Sequence, residues 1–235
     1  VGVQTHDTPD PFLVAAPGHE LISADLSQIE ARVLPWLAGD EQTLEVFRTH
    51  GKLYEHAAAG IYHVPMDSIG KHDPRRQIGK VAVLALGYGG GKGAFISIGK
   101  AYGITVPEAE AENIKLAWRE AHPKIVAYWG RLEQCAITAV LTPGATCAAG
   151  KIAFKKSGSF LLCKLPSGRV IIYPYPKVEQ LETPWGALKD TLTYQTVREE
   201  DNQWQRTSSF GGKLCENVVQ AVARDVLREG MFRIE

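Results

Sequence analysis

Apolar residues recur at helical spacing through the first half of this chain and give way to short β-like runs further on. The stretch HELISAD (19–25) is a short apolar run ending in Asp25, which predicts a strand. Ser27 then opens a predicted helix. Ser27 and Glu30 have capping-box spacing, Ile29, Val33, Trp36 and Leu37 recur along it, and Gly39 ends it. Segments 41–62 and 74–86 predict two more helices, the second with Pro74 at its first position. Steps of four residues join Arg76, Lys80, Leu84 and Tyr88 along one stripe of that helix. Gly87 and Gly89–Gly91 stop it. Residues 108–141 read as helical on both sides of His122-Pro123. From 142 to 205 turns separate β-like runs, as in LLCKLPSGRVIIYPYP, and 213–232 returns to helix. Residues 1–19, rich in Pro, Asp and Thr, read as a loop. The pattern is that of an α+β protein.

Composition narrows the class. A chain of 235 residues suits one or two domains with a real core. No apolar run reaches the roughly 18 residues of a membrane span, and no secretion signal is visible, so a cytoplasmic chain is expected. It opens on Val1 rather than methionine, which suggests a cut N-terminus. None of Cys135, Cys147, Cys163 and Cys215 forms a C-x-x-C pair, so free buried thiols in a reducing compartment are expected.

The formal net charge is zero, which argues weakly against non-specific nucleic-acid binding, but its distribution is uneven. Residues 1–70 hold ten acidic groups and three Lys/Arg, while 71–100 hold six Lys/Arg against Asp73 alone. Two such blocks could bind an anion between them, bridged by metal, or be two unlike solvated surfaces.

The run GYGGGKG (87–93) resembles a phosphate loop. That loop reads G-x-x-x-x-G-K-[ST] and follows a strand. Here Leu86 stands at the first glycine, Gly93 at the hydroxyl, and a helix precedes. A nucleotide hydrolase of that kind is excluded, and the glycines read as a helix end.

Three motifs in order point elsewhere. DLSQIEAR (25–32), R-x-x-x-K-x-x-x-L-x-x-x-Y-G (76–89) and ENVVQAVARD (216–225) together resemble family A DNA polymerases, with the look of their phage-encoded branch. The resemblance spans about residues 20–225. It implies a right-hand palm built on an antiparallel sheet, with mostly helical fingers. Residues 1–40 would be the first part of the palm, 41–141 the fingers with the motif helix at 74–88, 142–205 a β-rich insert, and 206–235 a palm helix. It further implies two magnesium ions held by Asp25, with the backbone carbonyl of Leu26 as a further ligand. Glu30 would block a ribose 2′-hydroxyl, while Gln28 and Arg32 would support the site and the primer terminus. Arg76 and Lys80 would hold the incoming triphosphate, with Asp25 opposite as catalytic anchor. Tyr88 and Gly89 would meet the templating base, Gln220 the minor groove, and Tyr54 would stand near a phosphate-contacting position. The implied partners are primer–template DNA and dNTPs, acting on a monomeric catalytic chain in the host cytoplasm.

Departures accompany the match. Leu84 stands where the family usually has Phe or Tyr, implying discrimination against dideoxynucleotides. Glu216 and Asn217 are displaced from the usual asparagine spacing. Residues 206–235 contain no His-Asp pair of the family's third motif. The expectation is therefore a fragment with an incomplete palm, exposed apolar surface and little polymerase activity alone. Asp225, between Arg224 and Arg228 in sequence, reads as a surface ion-pair member, and Lys92 as facing solvent or DNA backbone. A single-subunit RNA polymerase and a catalytically dead DNA-binding module are the alternatives, and Glu30 argues against the first.

Overall fold

The computed structural model describes residues 14–20, 25–183, 186–198 and 200–233. Most of the HELISAD run, residues 21–24, lies outside them, so the predicted first strand is not part of this description. The elements run α1 (Ile29–Ala38), α2 (Glu41–Thr49), α3 (Leu53–Tyr62), a 3₁₀ turn at Met66–Ser68, α4 (Pro74–Leu86), α5 (Lys92–Ala101), α6 (Glu108–Ala121) and α7 (Pro123–Leu141). Seven strands follow: β1 (Thr146–Ala149), β2 (Ile152–Ser157), β3 (Phe160–Lys164), β4 (Val170–Pro174), β5 (Lys177–Glu182), β6 (Leu188–Val197) and β7 (Trp204–Ser209). The chain closes on α8 (Gly211–Phe232).

Helix α7 is the hub. Its buried side chains include Ile125, Tyr128, Trp129, Leu132, Ala136 and Val140, and it packs against α1, α6, α8 and strands of both sheets. A helix buried on several sides needs apolar residues beyond a single stripe, which this one has. The strands form two antiparallel meanders, β1-β2-β3-β4 and β5-β6-β7. The Pro-Ser-Gly turn joins β3 to β4 as its sequence predicts, with Leu161 opposite Tyr173 and Cys163 opposite Ile171.

Several local expectations are corrected. The capping box of Ser27 and Glu30 does not form. Helix α1 begins two residues later, behind Gln28 in the left-handed region at φ 54°, with no side-chain cap. Segment 41–62 is two helices, because the chain turns at residues 50–52 with Gly51 at φ 68°. A helix that had not been expected, α5, starts directly on the glycine run. Cys135 on α7 and Cys147 on β1 are joined in a disulfide, their Cα atoms 5.2 Å apart. Packing of β1 onto α7 brings together two cysteines that sequence reasoning left free. The other two, Cys163 and Cys215, are free and buried as expected, and burial pushes both thiols up to about 12. No helix is long and apolar enough to cross a membrane, among the described residues.

Candidate functional site

The site is built around α4. Asp73 caps its N-terminus by accepting from the Arg75 amide at 2.8 Å, and Pro74 follows at N1. The same carboxylate takes the Arg75 side chain, so Arg75 is spent on the cap. Arg76, one residue on, is left for another task.

That task is set by how closely α3 approaches. A Cβ at Gly79 would lie 2.2 Å from the Tyr54 carbonyl oxygen and 2.9 Å from the Ala58 nitrogen. Only glycine lets the two backbones meet there. The approach delivers Tyr54 and Glu55 to the cationic stripe. Arg76 Nε donates to Glu55 Oε1 at 2.7 Å, and its guanidinium lies 5.4 Å from the Tyr54 ring centre. Glu55 is 9% exposed, a nearly buried carboxylate whose partner is Arg76. Lys80, one turn further, rests its ammonium 4.5 Å from the Tyr102 ring centre. It has no carboxylate partner among the described residues. Two cations four apart on one face thus stand with one already neutralised and the other held on an aromatic face.

Beyond Lys80 come Leu84, exposed, and, just past the end of α4, Tyr88, partly buried. Both line a small cavity of about 70 Å³ whose wall also carries Glu30, Leu34, Leu53, Gly87 and Trp118. Burial raises the Tyr88 phenol above its ordinary value, and the nearby Glu30 carboxylate raises it further. Glu30 itself accepts from Gln220 Nε2 at 2.6 Å. The packing of α1 on α8 therefore joins two predicted site residues 190 positions apart in sequence.

The end of α4 is clamped. Trp129 Nε1 donates to the Gly87 carbonyl at 3.0 Å, and Arg119 Nη2 reaches the Gly90 carbonyl at 3.3 Å. Gly212, at the start of α8, lies so close that a Cβ there would be 2.1 Å from the Tyr88 carbonyl oxygen. These contacts hold Tyr88 and Gly89 from α6, α7 and α8 at once. Lys92 is exposed toward solvent as expected, in a surface pair with Glu108 at 2.8 Å.

The first motif lies at the head of α1. Asp25 is exposed, and the Leu26 carbonyl accepts from the Ile29 amide at 3.2 Å. Arg32 folds back to the Ser27 carbonyl at 3.0 Å and lies over the Phe47 ring. Leu26 and Arg32 line a separate cleft with Trp36, Val226 and Asp225. Asp225 does not pair with Arg224 or Arg228. It binds Arg169 at 2.6 Å and Ser167 at 2.6 Å, both in the β3–β4 turn. The displaced Asn217 donates to the Tyr173 hydroxyl at 3.2 Å, and Glu216 pairs with Lys213. Among the described residues, no three His, Cys, Asp or Glu side chains are grouped to hold a metal. Asp25 and the Leu26 carbonyl are hard oxygen donors of the kind magnesium prefers, and they would fill part of a coordination shell that otherwise keeps waters.

Sequence reasoning missed Glu55, Gly79, Tyr102, Arg119, Trp129 and Gly212. Each acts through a partner from another part of the chain, and only Gly79, a glycine inside a helix pattern, carried a local signal.

Comparison with known proteins gives the family. The model of DNA polymerase family A matches residues 8–144, more than half of the chain. The chain belongs to that family. It is similar to the DNA polymerase of Bacillus phage SP02, 45% identical over 222 residues, which is 94% of this chain and 34% of that protein. It is also similar to DNA polymerase I of Mycobacterium tuberculosis, 33% identical over 122 residues, 52% of this chain and 12% of that protein. The DNA polymerase of Mycobacterium phage D29 is 29% identical over 119 residues, 51% of this chain and 18% of that protein. The chain spans about a third of the length of the SP02 relative and less of the others.

Proposed function

We propose that this chain serves template-directed DNA synthesis, binding the incoming dNTP and positioning it for transfer to a primer 3′-hydroxyl. The observation that carries this reading is the course of α4, where Arg76, Lys80 and Leu84 recur at helical spacing and lead from a cationic end to a cavity lined by Leu84 and, just past the helix end, Tyr88. A nucleotide has the same polarity, with charged phosphates at one end and an apolar base at the other.

In this reading Arg76 and Lys80 take the triphosphate. Arg76 exchanges Glu55 for phosphate oxygens, and its planar fork suits that geometry. Leu84 and Tyr88 pack the sugar and base. Glu30, fixed by Gln220, occupies the space a 2′-hydroxyl would need. Asp25 and the Leu26 carbonyl would hold magnesium, which when bound offsets charge on the attacking and leaving oxygens of an in-line displacement. The clamp of Trp129 and Arg119 on residues 87–90 fixes where the base end sits. Primer–template DNA is the second partner, with the catalytic chain acting as a monomer in a host cytoplasm.

Competition binding tests the sugar selectivity. dATP should displace a fluorescent dATP analogue from this chain well ahead of ATP. Glu30→Ala should bring the two nucleotides within about threefold, since a side chain that only rejects an added hydroxyl is worth about 1–3 kcal/mol. Equal competition by ATP and dATP in the unsubstituted chain would rule out this role for Glu30.

A further inference from the structure

The family match ends at residue 144, just before β1, so the first sheet lies outside what that match describes. Its inward face is core: Phe154, Leu161, Cys163 and Tyr173 are buried. The register sets three rows across the other face, Ala153–Lys164–Val170, Lys155–Leu162–Ile172 and Ser157–Phe160–Pro174. Phe160 is 43% exposed, Ile172 55% and Val170 38%. Tyr175, 51% exposed, extends the Phe160 row, with the two ring centres 6.4 Å apart. Its backbone sits at φ 48°, a region bulky residues rarely adopt. The Ser159 carbonyl holds its amide at 2.7 Å and Arg206 holds its carbonyl at 3.1 Å. Strain kept in place by surrounding contacts, in order to display an aromatic ring, points to use of that ring.

Charge identifies the user. Residues 142–178 hold Lys151, Lys155, Lys156, Lys164, Arg169 and Lys177 and no Asp or Glu, within a chain of zero net charge. Arg169 is spent on Asp225. Lys155 and Lys164 have no ion-pair partner among the described residues, and they stand on the two inner strands rather than at the rim. An apolar protein surface laid on this face would bury both ammonium groups without a counter-charge. A nucleic-acid backbone supplies that charge, and unpaired bases supply flat faces for Phe160 and Tyr175. A duplex hides those faces. We propose that the outward face of β1–β4 is a stacking platform for single-stranded DNA, separate from the α4 site.

Fluorescence anisotropy of the chain with labelled oligo-dT of about 16 nucleotides, at several salt concentrations, tests this. Phe160→Ala with Tyr175→Asn should weaken binding about tenfold per ring, and asparagine tolerates the left-handed backbone. Lys155→Gln with Lys164→Gln should reduce the slope of log affinity against log salt by about 1.4, roughly 0.7 per phosphate contact. A blunt duplex should bind less tightly than the single strand. All four positions are exposed, so the folded state should survive, as checked by circular dichroism. Binding of dATP should be unchanged in the ring variant, which separates failure here from failure of the nucleotide site. Unaltered oligo-dT affinity in both variants overturns the platform. So does size-exclusion evidence that the ring substitutions abolish a dimer while single-strand binding persists.

Discussion

Replacing Glu55 by glutamine should move stability and nucleotide affinity in opposite directions. The Arg76–Glu55 contact is 2.7 Å, with side-chain exposures of 27% and 11%. At a charge separation of about 4 Å and an effective dielectric of about 20, the attraction is about 4 kcal/mol. Desolvation of the nearly buried carboxylate offsets part of this, and glutamine keeps an acceptor for Nε. A net loss of about 2 kcal/mol remains, the scale of a hydrogen bond to a charged group. For a chain of this size that lowers Tm by about 4–8 °C. The same substitution frees Arg76 for phosphate. Triphosphate and Glu55 compete for one guanidinium, so removing the carboxylate should tighten binding of inorganic tripolyphosphate about tenfold or more, each 1.4 kcal/mol being a factor of about ten. Thermal melting and isothermal titration read the two effects on one sample. A Glu55 that merely holds α3 to α4 would lower both stability and affinity. A folded Glu55→Gln chain with unchanged or weaker tripolyphosphate binding would refute the reasoning.

Two further perturbations probe the frame around the site. Gly212→Ala would place a Cβ 2.1 Å from the Tyr88 carbonyl oxygen, backbone that cannot swing aside. It should cost about 1–3 kcal/mol or more, read as a fall in urea midpoint, and unaltered stability would contradict the close approach of α8 to Tyr88. Acid should destabilise the helical half. Burial lowers His122, and likewise His56, below the ordinary 6.5. The folded state then binds fewer protons than the unfolded one, so stability is full above about 6.5 and falls as pH drops below it. Tm should be lower at about pH 5.5 than at about pH 7.5, and His122→Asn should flatten the change. A Tm that rises toward acid would contradict the burial of these rings.

What could be read from the chain alone depended on the range of the interaction. Helix α4 was legible because its start and stop are local: Asp73 and Pro74 open it and the glycine run closes it. The β3–β4 hairpin was legible for the same reason. The spacing of Arg76, Lys80 and Leu84 follows from helical period alone, and α4 carries all three, while Tyr88 falls in the turn just past its end. Other features depend on distant partners. Ser27 and Glu30 have the right spacing for a capping box, but Glu30 is taken by Gln220 from α8. Glu55 looked like one acid among many until Gly79 let α3 close on α4. Asp225 has two arginines beside it in sequence and binds a third, Arg169, from the β3–β4 turn. The Cys135–Cys147 link depends on β1 folding back along α7. Local chemistry writes elements into sequence, and the pairings between elements are a tertiary property.

The most direct measurement is calorimetric titration of dATP with magnesium into this chain and into its Arg76→Gln/Lys80→Gln variant. Each charge-assisted contact is worth about 1.5–3 kcal/mol. The proposed site therefore predicts saturable binding that weakens by more than about a hundredfold when both cations are removed, with the fold intact by circular dichroism. Equal dATP affinity in the two chains would contradict the assignment of the α4 face as the nucleotide site.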